Sequence, residues 1–174
     1  MVRVRNGIAC GVLNDWDLAE VEPRTNDDHS GERTGTRPYM AIDLLVPLPP
    51  RHLERFDWES FFYVICMITC RYDRGEDINP NTLSRWYNPD DETLWSIKLI
   101  SLLGFGTIIQ DATNFYRQVA FDWTEPLRKL FADGFSARNQ PSGNEQTTPD
   151  EAPFNNETLG GHVTWEKFWG ILQK

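Results

Sequence analysis

The stretch LERFDWESFFYVICMITC, residues 53–70, decides how the chain folds. From Phe61 onward almost every position is apolar, with no Gly or Pro, so a helix here has no polar face. A helix apolar all round lies in the centre of its domain. The nine apolar-rich residues Phe61–Thr69 are about half of what a membrane span needs, so the element reads as a buried core helix. Asp57 is placed as its N-cap, although Ser60 stands where a capping box prefers Glu.

Upstream of this helix, Pro47, Pro49 and Pro50 stop any regular element, and YMAIDLLV (39–46) has room for one or two helical turns. Residues 20–38 are polar, with two Pro and two Gly, and read as a long loop. At the start, VRVR (2–5) and IACGVL (8–13) flank Asn6-Gly7, which predicts a β-hairpin. LNDWDLA (13–19) follows; by itself it reads as a turn, because Asp side chains bond the backbone of the turn they open.

Downstream, residues 71–81 read as a polar loop and Leu83–Tyr87 as the start of a short helical stretch. DETLWSIKLISLLG (91–104) has helical spacing, acids at its N-terminus and Gly104 at its end. Residues 108–133 predict two helices divided near Trp123–Pro126. Residues 136–161 are polar and read as a flexible insert. TWEKFWGILQK then predicts a last helix, capped by Thr164, with Trp165, Phe168, Trp169 and Leu172 as a docking face. The expected organisation is a core at 1–135, an insert at 136–161 and a terminal helix at 162–174 that docks on the same lobe.

Composition narrows the function. The net charge of −9 argues against nucleic acid and against an anionic membrane as partner. Cys10, Cys66 and Cys70 form neither a CxxC nor a disulfide framework, and the three His lie far from them, so the thiols read as apolar packing in a reducing compartment. No apolar run near the start suits a signal peptide, so an intracellular, non-secreted chain is expected.

Three motifs follow in order: Asp15-Trp16-Asp17-Leu18-Ala19 after a strand, Arg33–Ala41 (RTGTRPYMA) continuing into Ile42-Asp43, and Asp57–Val64 (DWESFFYV) opening the central helix. This order resembles the C-terminal lobe of protein kinases, and the wording resembles the fungal-type protein kinase family. Leu83, Trp86 and Lys98 suit that family too, so the resemblance is drawn over essentially the whole chain. It implies a mainly α fold, a kinase-like C-lobe in which a short β-hairpin precedes a helical bundle around one buried central helix. It implies that Asp15 stands at the place of the D-F-G Asp and holds Mg²⁺. Thr34, Gly35, Thr36, Arg37, Pro38 and Tyr39 become the activation segment. Ala41-Ile42-Asp43 takes the place of A-P-E, with Asp43 paired to a late basic residue, Arg117 or Arg128. Asp57 would hold backbone amides of the catalytic loop.

The parent activity is ATP-dependent phosphorylation of Ser/Thr in proteins, with ATP and Mg²⁺ as cofactors. A kinase also needs a Gly-rich loop, a strand Lys with its helix Glu, and H-R-D-x-x-x-x-N. All lie upstream of D-F-G, and fourteen residues precede Asp15. The polypeptide is therefore expected to be an N-terminally truncated lobe, inactive alone and without tightly bound ATP. The competing expectation is a non-catalytic interaction module that binds a protein partner, or itself, through surface the N-lobe would cover. An unrelated helical protein carrying chance motifs is the remaining reading.

Overall fold

A computed structural model describes residues 2–11, 35–87, 90–104, 110–139 and 153–174. The chain divides into two compact units, Met1–Glu32 and Arg33–Lys174. In the first, β1 (Val2–Arg5) pairs antiparallel with β2 (Ile8–Gly11), Val4 opposite Ala9. Asn6 and Gly7 both take positive φ, +52° and +77°, the geometry of a two-residue turn that Asn-Gly adopts at low cost. The hairpin stands as the sequence predicts.

The second unit is helical. Segment 37–44 makes two 3₁₀ turns, Arg37–Tyr39 and Ile42–Leu44. Helix α1 (Glu54–Arg71) follows and is the spine. It starts earlier than expected. Leu53 is the N-cap residue and donates no side-chain cap, while Asp57 lies within the first turn, exposed, 3.3 Å from His52 Nε2. Asp57 is thus not the N-cap. The cause lies in two residues ahead of it: burying Phe56 and Arg55 requires helical backbone from position 54. The helix is also not buried on all sides, since Phe61 and Ile68 remain about half exposed.

The stretch 71–81 holds more than a loop. β3 (Tyr72–Asp73) and β4 (Glu76–Asp77) pair around Arg74-Gly75, both at positive φ. Ser84–Trp86 forms a 3₁₀ turn that buries Trp86. Helix α2 (Asp91–Leu103) begins at Asp90, whose carboxylate accepts from the Thr93 N–H, and ends at Gly104.

Residues 117–139 run without the predicted division. A helical turn, Arg117–Val119, continues through a π segment, Ala120–Thr124, into α3 (Glu125–Asn139). Pro126 lacks an N–H and its ring crowds the preceding turn; the wider π turn accommodates both. Of the expected insert, residues 140–152 lie outside the described residues. Residues 136–139 end α3, and residues 153–163 form an ordered turn that buries Leu159 and Val163 completely. Gly134 permits that contact, for a Cβ there would stand 2.7 Å from Leu159 Cβ.

Helix α4 (Trp165–Leu172) is capped by Thr164 Oγ1, which accepts from the Lys167 N–H. Phe168 alone of its aromatic residues is deeply buried, stacked on Trp58 at 5.7 Å; Trp165 and Trp169 stack on each other, half exposed. Phe56, Phe62, Tyr63, Leu94, Leu102, Phe131 and Phe135 form the centre of one core. The unit is mainly helical, as expected. No described helix is long and apolar enough to cross a membrane.

Candidate functional site

The segment Arg37–Leu45 is where buried charge gathers. Ala41 and Ile42 are fully covered, Pro38, Asp43 and Leu44 are buried, and Tyr39 is half buried; Gly35, Thr36 and Arg37 face solvent. Short 3₁₀ turns leave several backbone groups without partners in their own element, so the surrounding helices supply them.

Asp43 sits between two guanidiniums. Arg55 of α1 donates to its Oδ2, and Arg138 of α3 donates through Nη1 to Oδ2 at 2.8 Å and through Nη2 to Oδ1 at 3.0 Å. Burial pushes the Asp43 carboxyl up, but the hydrogen bonds from Arg138 and Arg55 outweigh it and hold the group below its ordinary value. The expected partners were Arg117 or Arg128. Both are engaged elsewhere: Arg117 bonds Asn114, and Arg128 bonds Glu125 and the Leu102 carbonyl. Arg138 lies two to three turns beyond Arg128 on the same helix, where α3 passes Asp43.

Glu59 is fully buried on α1. Its Oε1 accepts from the Ile42 N–H at 2.8 Å and from the Tyr63 hydroxyl at 2.6 Å. Burial raises its carboxyl, and the hydrogen bonds from Tyr63 and Ile42 and the charge of the nearby Arg55 only partly offset that. Arg55 Nη1 and Glu59 Oε2 stand 3.9 Å apart, and neither has a hydrogen-bond partner among the described residues.

Lys98, fully buried on α2, completes the arrangement. Its ammonium donates to the Met40 carbonyl, stands 3.5 Å from the Arg37 carbonyl and lies 3.9 Å above the Tyr63 ring. Burial lowers its pKa to about 7 despite the Glu59 carboxylate, which favours the charged form. One helix therefore grips the segment through a backbone N–H, at Ile42, and another through backbone carbonyls, at Met40 and Arg37. A surface ion pair, Arg37 to Asp91 at 2.8 Å, ties the segment to α2 again.

Asp15 and Thr34 lie outside the described residues, so the expected magnesium ligand has no described geometry. Among the described residues no group of three or more His, Cys, Asp or Glu could hold a metal ion. Burial pushes the Cys66 thiol well up and the Cys70 thiol to about 11, which leaves both protonated and unreactive at neutral pH. The described site is thus a scaffold that fixes a polypeptide segment.

Arg55, Glu59, Tyr63, Lys98 and Arg138 escaped the sequence reading as site residues. A signal existed for two of them. Leu94, Lys98 and Leu102 share one α2 face at i, i+4 and i+8, and all three are buried; Glu59 likewise lies on the α1 face of Phe56 and Tyr63. A charge on a core face must be paired or neutralised.

No curated protein and no solved structure matches the chain. A family model does: that of the fungal protein kinases matches residues 2–69, which include all three ordered motifs. Lys98, Trp86 and Arg138 lie beyond that match. Over residues 2–69 the chain is similar to the fungal protein kinases.

Proposed function

We propose that the chain forms the helical lobe of a fungal-type protein kinase, the part that presents the activation segment to a protein substrate. The observation that carries this reading is Asp43. It closes the RTGTRPYMAID stretch inside the family match, and it is buried between Arg55 and Arg138, where it anchors the segment to the helical core. In this reading Thr34–Tyr39 shape the surface on which the substrate lies, and Asp15 holds Mg²⁺. The metal and ATP would supply the charge neutralisation and the phosphoryl group that transfer to a Ser or Thr hydroxyl requires.

The 174 residues contain no Gly-rich phosphate loop and no H-R-D-x-x-x-x-N. Each group of that kind contributes orders of magnitude to rate. The chain by itself therefore binds Mg-ATP no tighter than millimolar and transfers no phosphate. Calorimetric titration of Mg-ATP into the wild type and Asp15→Ala tests this. Micromolar affinity that the substitution abolishes would contradict it.

A second reading, a non-catalytic interaction module inside the cell, is favoured by one surface feature. Trp165, Trp169 and Phe61 leave an aromatic face about half exposed on α1 and α4, and a contiguous apolar patch of this kind suits a protein contact. Self-association or capture of a protein partner would support it. A clean monomer that binds no hydrophobic dye would count against it.

A further inference from the structure

We infer that the groove between Leu45–Pro47 and the first turns of α2 is a docking site for a basic peptide, one apolar side chain seated between flanking arginines or lysines. The groove encloses about 390 Å³, enough for a side chain and its neighbouring backbone. Leu45, Val46, Pro47 and Trp95 form its apolar lining. Leu45 is almost completely covered and Trp95 is half buried, so the lining is held by the core.

Charge selects the occupant. Asp90, Asp91 and Glu92 stand on the rim, and the guanidinium of Arg37 answers them through Asp91. Hydrogen bonds from the Thr93 N–H and hydroxyl, at 2.9 and 2.8 Å, fix the Asp90 carboxylate in place. Both members of the Arg37–Asp91 pair remain partly exposed, so an arginine of an incoming peptide can take Asp91 from Arg37. Trp95 adds a ring face to which a cation is attracted. With a net charge of −9 on the whole chain, a polyanion is repelled and a basic segment is drawn in. Because Arg37 belongs to the segment held by Lys98, docking here is coupled to the position of that segment. The inference does not depend on the kinase reading, and failure of Mg-ATP binding has no bearing on it.

Fluorescence anisotropy on the 174-residue chain tests it, with a fluorescein-labelled peptide that carries one leucine between two pairs of arginines. Micromolar binding is expected. Replacing the peptide's leucine by alanine should weaken it about tenfold, the worth of one seated side chain. Glu92→Lys should weaken it about three- to tenfold, and added salt should weaken it further. Glu92 is exposed, and circular dichroism checks that α2 survives the change; Glu92→Gln, the milder variant, should give a smaller loss. Equal binding of the leucine and alanine peptides would show charge attraction without a groove and overturn the proposal. So would binding unchanged by Glu92→Lys.

Discussion

Arg138 grips Asp43 with both prongs of its guanidinium, at 2.8 and 3.0 Å, across 95 positions of sequence. This fork and the second guanidinium, Arg55, fasten segment 37–45 to α1 and α3. The two arginines are not equivalent. Arg55 is 1% exposed and Arg138 about a quarter exposed. Removing the carboxylate takes from the buried Arg55 its hydrogen-bonded counter-charge and leaves Glu59, 3.9 Å away, as its ionic neighbour. Asp43→Ala should therefore cost about 3–5 kcal/mol of stability. Arg138→Ala should cost less, about 1–2 kcal/mol, because Arg55 still pairs Asp43 and water reaches the gap. Urea unfolding of both variants measures the difference.

Acid should undo the same contact. Asp43 is held below its ordinary value in the folded state, so the unfolded chain takes up its proton first. The stability it contributes is complete above the unfolded pKa, about 3.9, and is lost as pH falls through the folded value. Wild type should lose stability steeply below about pH 4. Asp43→Asn should show a shallower acid limb in urea unfolding followed against pH.

Lys98 predicts a slope of the opposite origin. Its folded pKa is about 7, against about 10.4 unfolded. Between these values the unfolded chain binds a proton that the folded chain does not. Stability should therefore rise with pH from about 7 to 9, and Lys98→Met should remove that rise. At neutral pH the variant should still be less stable, by about 1–3 kcal/mol, because the Met40 carbonyl loses its donor. Thermal melting across that pH range measures both effects.

Gly134 is sterically constrained. An added Cβ would lie 2.7 Å from Leu159 Cβ, and neither atom can rotate away. Gly134→Ala should destabilise by about 1–3 kcal/mol despite alanine's better helix propensity. Proteolysis should show the loss first in residues 153–163, which pack against that face.

What was legible in the sequence followed from periodicity and turn chemistry. Asn6-Gly7 announced the hairpin, and the run from Phe61 announced the core helix. The start of α1 was not legible. Asp57 is a better cap than Leu53 by residue type, but the earlier start brings Arg55 and Phe56 into the core. The division expected near Trp123–Pro126 did not occur, because a π turn absorbs the ring. At the site, the motif order identified Asp43 as a residue to be paired, but its partner depends on where α3 passes. Arg117, Arg128 and Arg138 are all basic and late; geometry alone selects Arg138. Glu59 and Lys98 could have been suspected from their core-face positions, whereas their backbone partners at Ile42 and Met40 depend on tertiary packing.

The central claim is that Arg37–Leu45 is a fixed platform gripped by buried charges. Hydrogen exchange at the Ile42 amide tests it most directly, because that N–H is held by Glu59 and by no helix or sheet ladder. The amide should exchange only through global unfolding, with the same protection as the centre of α1, and Glu59→Ala should accelerate it selectively. Exchange at the rate of an exposed loop amide in the wild type would contradict the account.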